Sequence, residues 1–179
     1  VVVTTPDDEI IDYCSSYNLP CIQTSDKHER CLDRVGEAAS IVNSSSDDII
    51  ICMQGDEPLV HQSIIDTLID YHRKNSFEFI VGCLPVDERE FFDPNVVKVA
   101  YDDNFKTIYT SRAPIPSGKD GYKDSVRIFG IFSFSYQALL QFNALPVSRL
   151  EVIESCDTNR ILGSSLEQHV CILPTTHQQ

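Results

Sequence analysis

Runs of apolar β-formers alternate along this chain with segments whose apolar residues recur at helical spacing. Residues 1–4 read as the end of a buried strand. Thr5 is then expected to cap a helix, with Pro6 at its first position and Asp7, Asp8 and Glu9 in the positive first turn, running to about Tyr17. Asn18 and Pro20 break it, and Cys21-Ile22-Gln23-Thr24 makes a short strand. From Cys31, the residues Leu32, Val35, Ala38, Ala39 and Val42 fit one helical face. The run Ile49-Ile50-Ile51-Cys52-Met53 predicts a buried strand, and Ile64, Ile65, Leu68, Ile69 and His72 form a second helical stripe. His72 reads there as a half-buried packing residue rather than a ligand.

The second half continues the alternation. Residues 79–86 predict an apolar strand, interrupted late by Pro85. Residues 96–101 and 106–109 flank Asp102-Asp103-Asn104, a β-hairpin composition. Residues 111–121, rich in Pro, Gly and charge, predict a loop or arm. A strand at 127–134, a short helix at 136–142, a helix from Ser148 to about Leu162 and a last strand at 169–173 follow, before the polar end at 175–179. Strands alternating with helices predict an α/β fold: three layers around a mostly parallel sheet, with the hairpin as an antiparallel excursion. With no internal repeat, residues 1–179 read as a single domain.

Composition narrows the function. The 179 residues are enough for one domain with a core. Hydrophobic residues at 42% and charged residues at 23% are ordinary for a soluble globular protein. No run of about 18 apolar residues exists to span a membrane, and no secretory signal is visible. The net charge of −13 argues against nucleic-acid or anionic-membrane partners. Seven cysteines, none with Cys-x-x-Cys spacing, favour the reduced thiols of a cytoplasmic protein over a disulfide framework or zinc site.

The most informative segment is Gln54-Gly55-Asp56-Glu57, closed by Pro58, which follows the strand at 49–53. A carboxylate at the carboxyl end of a buried strand, beside a glycine that lets a ligand approach the backbone, is where open α/β sheets place chemistry. Asp56 is also a hard oxygen ligand, suited to magnesium bridging nucleotide phosphates. A turn with an exposed acidic tip is the alternative.

Six short motifs, in order, resemble one family, the sugar-acid cytidylyltransferases and in particular the 3-deoxy-manno-octulosonate cytidylyltransferases (CMP-Kdo synthetases). They are Val1-Val2-Val3-Thr4-Thr5 with Asp7-Asp8-Glu9-Ile10; Gln54-Gly55-Asp56-Glu57-Pro58; and Asp93-Pro94-Asn95-Val96-Val97-Lys98-Val99. Tyr109-Thr110-Ser111-Arg112-Ala113-Pro114-Ile115-Pro116, Gly130-Ile131-Phe132 and Leu150-Glu151-Val152-Ile153-Glu154 complete the set. The resemblance implies a nucleotide-diphospho-sugar transferase fold, a homodimer, and a role in cell-surface polysaccharide (lipopolysaccharide) synthesis. It implies transfer of CMP from CTP to the anomeric hydroxyl of a sugar acid, with pyrophosphate released. Such a reaction needs positioning and charge neutralisation more than covalent help.

Site residues follow from the same resemblance. Asp56 is expected as the Mg2+ ligand, and Gln54, with Gly55, lies at the junction of nucleotide and sugar. Arg34 meets a substrate carboxylate or phosphate, or is a solvated helix-face arginine. Arg112 binds substrate, or serves loop packing or a dimer contact. Lys98 reads as structural. Asp157 falls on one helix face with Glu151 and Glu154, as a substrate residue or as part of a solvated acidic stripe.

Departures set limits on the resemblance. The family's phosphate-binding loop is expected before Val1 and its second magnesium aspartate beyond Gln179, so this chain alone is expected to show little transferase activity. Where the family has Ser-Gly-Thr, Arg30-Cys31-Leu32 follows His28-Glu29; Ile128 and Phe132 replace a His and a Tyr, and Asp157-Thr158 replaces Glu-Gln. Losing hydroxyl, imidazole and amide donors removes bonds that distinguish one polyhydroxy acid from another. A cytidylyltransferase for a different acidic molecule, or a non-catalytic relative used for binding or assembly, therefore remain alternatives.

Overall fold

The computed structural model describes residues 1–58, 60–119 and 121–174; the polar end at 175–179 lies outside them. The first half forms β1 (Val3–Thr5), α1 (Asp8–Ser16), β2 (Cys21–Gln23), α2 (Cys31–Ile41), β3 (Ile49–Met53) and α3 (Gln62–Asn75). The second half forms β4 (Phe79–Pro85), α4 (Glu88–Phe92), β5 (Lys98–Tyr101), β6 (Thr107–Ser111), β7 (Val126–Ser135), α5 (Tyr136–Ala144), α6 (Arg149–Glu154), a 3-10 helix (Asp157–Ile161) and β8 (Gln168–Ile172).

Two local expectations shift. The cap of α1 is Asp7 rather than Thr5: Asp7 Oδ1 accepts from the amides of Glu9 and Ile10, while Thr5 Oγ1 accepts from Asp7 N at 3.1 Å. The helix expected at 148–162 breaks in two. Ser155 adopts a left-handed φ of 48°, ending α6 and turning the chain into the 3-10 helix. Glu151, Glu154 and Asp157 therefore do not share one continuous helical face. The helix α4, closed by an Asp87/Glu90 capping box, was not anticipated.

The sheet is mixed rather than mostly parallel. β1 and β2 form a two-stranded parallel sheet of their own; in the six-stranded sheet β4 and β8 pair in parallel, but β3 and β4 do not meet. The strand β7 lies between them and runs antiparallel to both, and β5 also pairs antiparallel with β7 and β6. Hydrophobic period shows which faces a strand buries, not which neighbour it finds or in which direction; both are long-range choices.

Both faces of this sheet are covered. Phe79, Val81 and Cys83 of β4, with Phe132 and Phe134 of β7, pack with Leu32 and Ala39 of α2 and Leu139 and Phe142 of α5. The alternate residues Ile80 and Ile131 pack with Ile64 and Leu68 of α3. His72 is buried on α3 with Nδ1 2.6 Å from Ser133 Oγ, and burial lowers its pKa; it packs. All seven cysteines are free. No helix among the described residues is long and apolar enough to cross a membrane.

Along one edge β7 is shared by two strands. Its residues 131–135 pair with β3 and its residues 126–127 with β5. Between them the edge is held only by single bonds, Gln54 N to Gly130 O at 2.8 Å and Ile128 N to Val97 O at 2.9 Å. The chain leaves β3 at that interruption, and a cleft opens there.

Candidate active-site cleft

The cleft has a volume of about 360 Å³ and is lined by Gln54, Asp56, Glu57, Arg112, Arg127, Ile128, Phe132 and Asp157, among others. The strand end at Met53 delivers Gln54 and Asp56 to its rim. Asp56 is exposed, and among the described residues no hydrogen bond or ion pair occupies its carboxylate. A Cβ on Gly55 would meet nothing within 4 Å, so the protein itself leaves that backbone open to a ligand. Burial raises the Glu57 carboxyl above its ordinary range against the pull of Arg127, and the charge of Asp56 adds to the rise.

Magnesium fits this donor set only in company. Among the described residues no group of three or more His, Cys, Asp or Glu side chains is arranged to hold a metal. Mg2+ characteristically keeps several waters and takes one or two carboxylates together with substrate phosphates. Asp56, exposed and unpaired among the described residues at the rim of an open cleft, matches that requirement.

The Arg112 and Ser155 side of the cleft is held by bonds between β6 and α6. The Glu154 carboxylate accepts from Tyr109 Oη (2.7 Å), Ser111 Oγ (2.9 Å) and Arg112 N (2.8 Å). Arg112 lines the cleft, yet its guanidinium donates to four carbonyls, those of Glu154, Pro94, Asn95 and Ser155. Those bonds clamp the segment before β5 onto the end of α6. Beneath it, the fully buried Lys98 ammonium donates to the carbonyls of Asp93, Val96 and Arg112 at 2.7–2.8 Å.

The floor joins three elements. Gln54 Nε2 donates to Cys31 Sγ at 3.1 Å, and the Cys31 thiol donates to Asp157 Oδ2 at 3.4 Å. Cys31 stands at the start of α2 and Asp157 at the start of the 3-10 helix. Burial raises the Asp157 carboxyl above its ordinary range. Ile128 and Phe132 line the same cleft, so two of the apolar departures face the ligand space.

Gln54, Asp56, Arg112 and Asp157 thus come together. Arg34 does not: its guanidinium donates to Thr24 Oγ1 (2.8 Å), Ser25 O (3.0 Å) and His28 O (3.2 Å), folding the loop before α2. Sequence reasoning missed Arg127, whose Nε lies 2.9 Å from Glu90 Oε1, because no motif marks it. It also missed Cys31 as a floor residue. The signal was the unusual Arg30-Cys31-Leu32, visible only as a departure.

A family pattern described as cytidylyltransferase matches residues 1–169. The chain belongs to the cytidylyltransferase family. It is 36% identical over 181 residues to the 3-deoxy-manno-octulosonate cytidylyltransferase of Thermodesulfovibrio yellowstonii, covering 93% of this chain and 71% of that one. It is 34% identical over 176 residues to the 8-amino-3,8-dideoxy-manno-octulosonate cytidylyltransferase of Shewanella pealeana, covering 96% and 72%. Among solved structures, CMP:2-keto-3-deoxy-manno-octonic acid synthetase complexed with CTP matches with a TM-score of 0.86 at 26% identity, over 97% of this chain and 71% of that one. Within its family, the chain is of the CMP-Kdo synthetase type.

Proposed function

We propose that this cleft binds CTP and transfers its CMP moiety to the anomeric hydroxyl of a Kdo-like sugar acid. The observation that carries the reading is the unpaired Asp56 carboxylate, set with the Gln54 amide at the carboxyl end of β3 and facing a cleft of substrate size. The fold's match to a CTP-complexed synthetase supports it. The acceptor oxygen forms a bond to the α-phosphorus as the bond to the pyrophosphate oxygen breaks, and the hydroxyl proton leaves to solvent.

This chain's residues bind and orient. Asp56 would hold Mg2+, which when bound supplies charge neutralisation at the phosphate oxygens. Gln54, held through its Nε2 by the Cys31 thiol, would mark the junction of nucleotide and sugar. Arg112 and Glu154 hold their side of the cleft in place. The resemblance's homodimer has support in exposed apolar residues on and beside α6: Val147, Val152 and Ile153. Light scattering at micromolar concentration tests that second copy.

A second reading, a different acidic acceptor, is favoured by Ile128 and Phe132, which line the cleft where imidazole and hydroxyl donors are expected. Calorimetry of the chain with CTP, with and without Mg2+, tests the nucleotide half; magnesium-dependent binding is expected. Mass spectrometry for CMP-sugar, with 3-deoxy-manno-octulosonate and its 8-amino counterpart as acceptors, tests the transfer. Formation of CMP-sugar is the expected outcome. A folded chain that binds no CTP would sink the reading.

A further inference from the structure

The far end of the 3-10 helix borders a second, separate cavity. It has a volume of about 260 Å³ and is lined by Lys106 and Thr107 at the entry to β6, the turn at 161–166, and Glu167 and Gln168 at the entry to β8. None of these residues lines the cleft. The antiparallel bridge between Lys106 and His169 sets Thr107 opposite Gln168. Strand alternation puts Gln168 on the same face of β8 as Val170, which packs in the layer holding Ile161 and Leu166.

Gln168 is 1% exposed and Thr107 8%. Among the described residues, the Gln168 amide nitrogen, its amide oxygen and Thr107 Oγ1 all lack a hydrogen-bond partner. Further along β6 the buried polar groups are satisfied: Thr110 Oγ1 donates to Asn159 Oδ1 at 2.7 Å, and Asn159 Nδ2 donates to the Thr110 carbonyl at 3.0 Å. Buried polar groups left unbonded are costly and uncommon, and two such side chains on one cavity call for a molecule that completes them. That molecule is uncharged. The cavity's two charged side chains, Lys106 and Glu167, pair with each other at 2.5 Å and leave no counter-charge for a ligand.

We propose that this cavity is a binding site for a small uncharged carboxamide, distinct from the cleft. The Gln168 amide offers a donor and an acceptor side by side. Its complement is a second amide edge, which closes two N–H···O bonds, one with Nε2 and one with Oε1. The Thr107 hydroxyl donates to or accepts from the same group. A carboxylate would bring no donor to Gln168 Oε1 and would carry a charge that the cavity does not balance. A cavity of this size suits one small ring rather than a nucleotide. The 3-10 helix runs from Asp157 at the cleft to Ile161 at this cavity, so an occupant stands at the opposite end of the segment that carries Asp157. The site stands whether or not the cleft transfers CMP.

The test is ligand-observed NMR on the 179-residue chain, with nicotinamide as the probe and nicotinate, the carboxylate of the same ring, as the control. Nicotinamide is expected to bind with a Kd of about 1 mM or tighter, and nicotinate at least about tenfold more weakly. Saturating CTP should leave nicotinamide in place. Gln168→Met keeps the unbranched side chain and removes both amide atoms, and it is expected to weaken nicotinamide at least about tenfold. Equal binding of amide and acid, displacement by CTP, or binding that survives Gln168→Met would overturn the proposal. Binding of neither compound, as a cavity holding water alone would give, would also overturn it. The amide–acid and CTP comparisons use the unmodified chain, so they decide the matter even if Gln168→Met misfolds.

Discussion

Gly130 and Gln54 contend for one space: a Cβ on residue 130 would stand 2.7 Å from Gln54 Oε1, 3.2 Å from Gln54 Cβ and 2.9 Å from Glu57 Cγ. The glycine in β7 therefore lets the Gln54 side chain lie against the strand and reach Cys31. Gly130→Ala is expected to push Gln54 off the floor. Overpacking of this kind costs roughly 1–3 kcal/mol of stability, read by urea denaturation. Acceptor binding should weaken beyond what that loss explains; unchanged calorimetry would show that Gln54 does not position the acceptor.

Asp56 is exposed and makes no hydrogen bond or ion pair with a described residue, so its removal tests chemistry rather than folding. Asp56→Asn should stay within about 0.5 kcal/mol of the parent in stability, as exposed substitutions do. Magnesium-dependent CTP binding should drop by roughly 100-fold if the carboxylate shares the ion. A magnesium dependence identical to the parent's would remove Asp56 from the metal site.

Glu154 gives a pH signature. Burial pushes its carboxyl up, but the Arg112 amide, the Tyr109 and Ser111 hydroxyls and the Arg112 charge outweigh burial and hold it below the ordinary range. A depressed folded pKa contributes stability that is complete above the unfolded value, about 4.3, and is lost as pH falls through the folded one. Denaturation of the parent and Glu154→Gln from pH 7 to 3 should show a constant gap down to about pH 5, closing below it. A gap that widens in acid would contradict the geometry.

Asp157 has the opposite sign. Burial is the main cause of its raised pKa, so its ionised form opposes folding and the folded chain gains stability as pH drops. Asp157→Asn should therefore be more stable than the parent at neutral pH, with the advantage gone below about pH 3.9, the ordinary aspartate value. Thermal melts at pH 7 and pH 3.5 check this. A less stable Asn variant at pH 7 would mean that the carboxylate is compensated within the protein.

Arg160 holds the segment that carries Asp157. It grips Asp33 of α2 at 2.5 and 2.9 Å as well as Glu151, and its guanidinium lies 4.7 Å from the Phe142 ring centroid. Burial works against its charge, yet the bonds from Asp33 and Glu151 keep its pKa raised. Lysine cannot make two forked contacts. Arg160→Met, which strands two carboxylates, should cost about 3–5 kcal/mol, and Arg160→Lys less. Near-neutral values would mean that the cluster is not what fixes the 3-10 helix.

Local chemistry made much of the fold legible. The strand Ile49–Met53 is read to the residue, because a short apolar run bounded by polar Asp48 and Gln54 has one sensible extent. The stripe from Ile64 to His72 and the start of α2 at Cys31 are equally visible. The helix 148–162 was misjudged because its break at Ser155 answers to distant partners. Arg112, 43 positions away in sequence, draws on the Ser155 carbonyl.

Sequence alone determined most of the elements, the family motifs and the placement of Asp56 just beyond a buried strand, since these follow from periodicity and neighbouring residues. Tertiary structure decided that β7 runs between β3 and β4, that Arg112 spends its donors on carbonyls while Arg34 folds a separate loop, and that Asp157 faces the cleft with only a thiol for company. Those outcomes depend on which distant groups meet, and burial and charge pairing are properties of that meeting rather than of any stretch of chain.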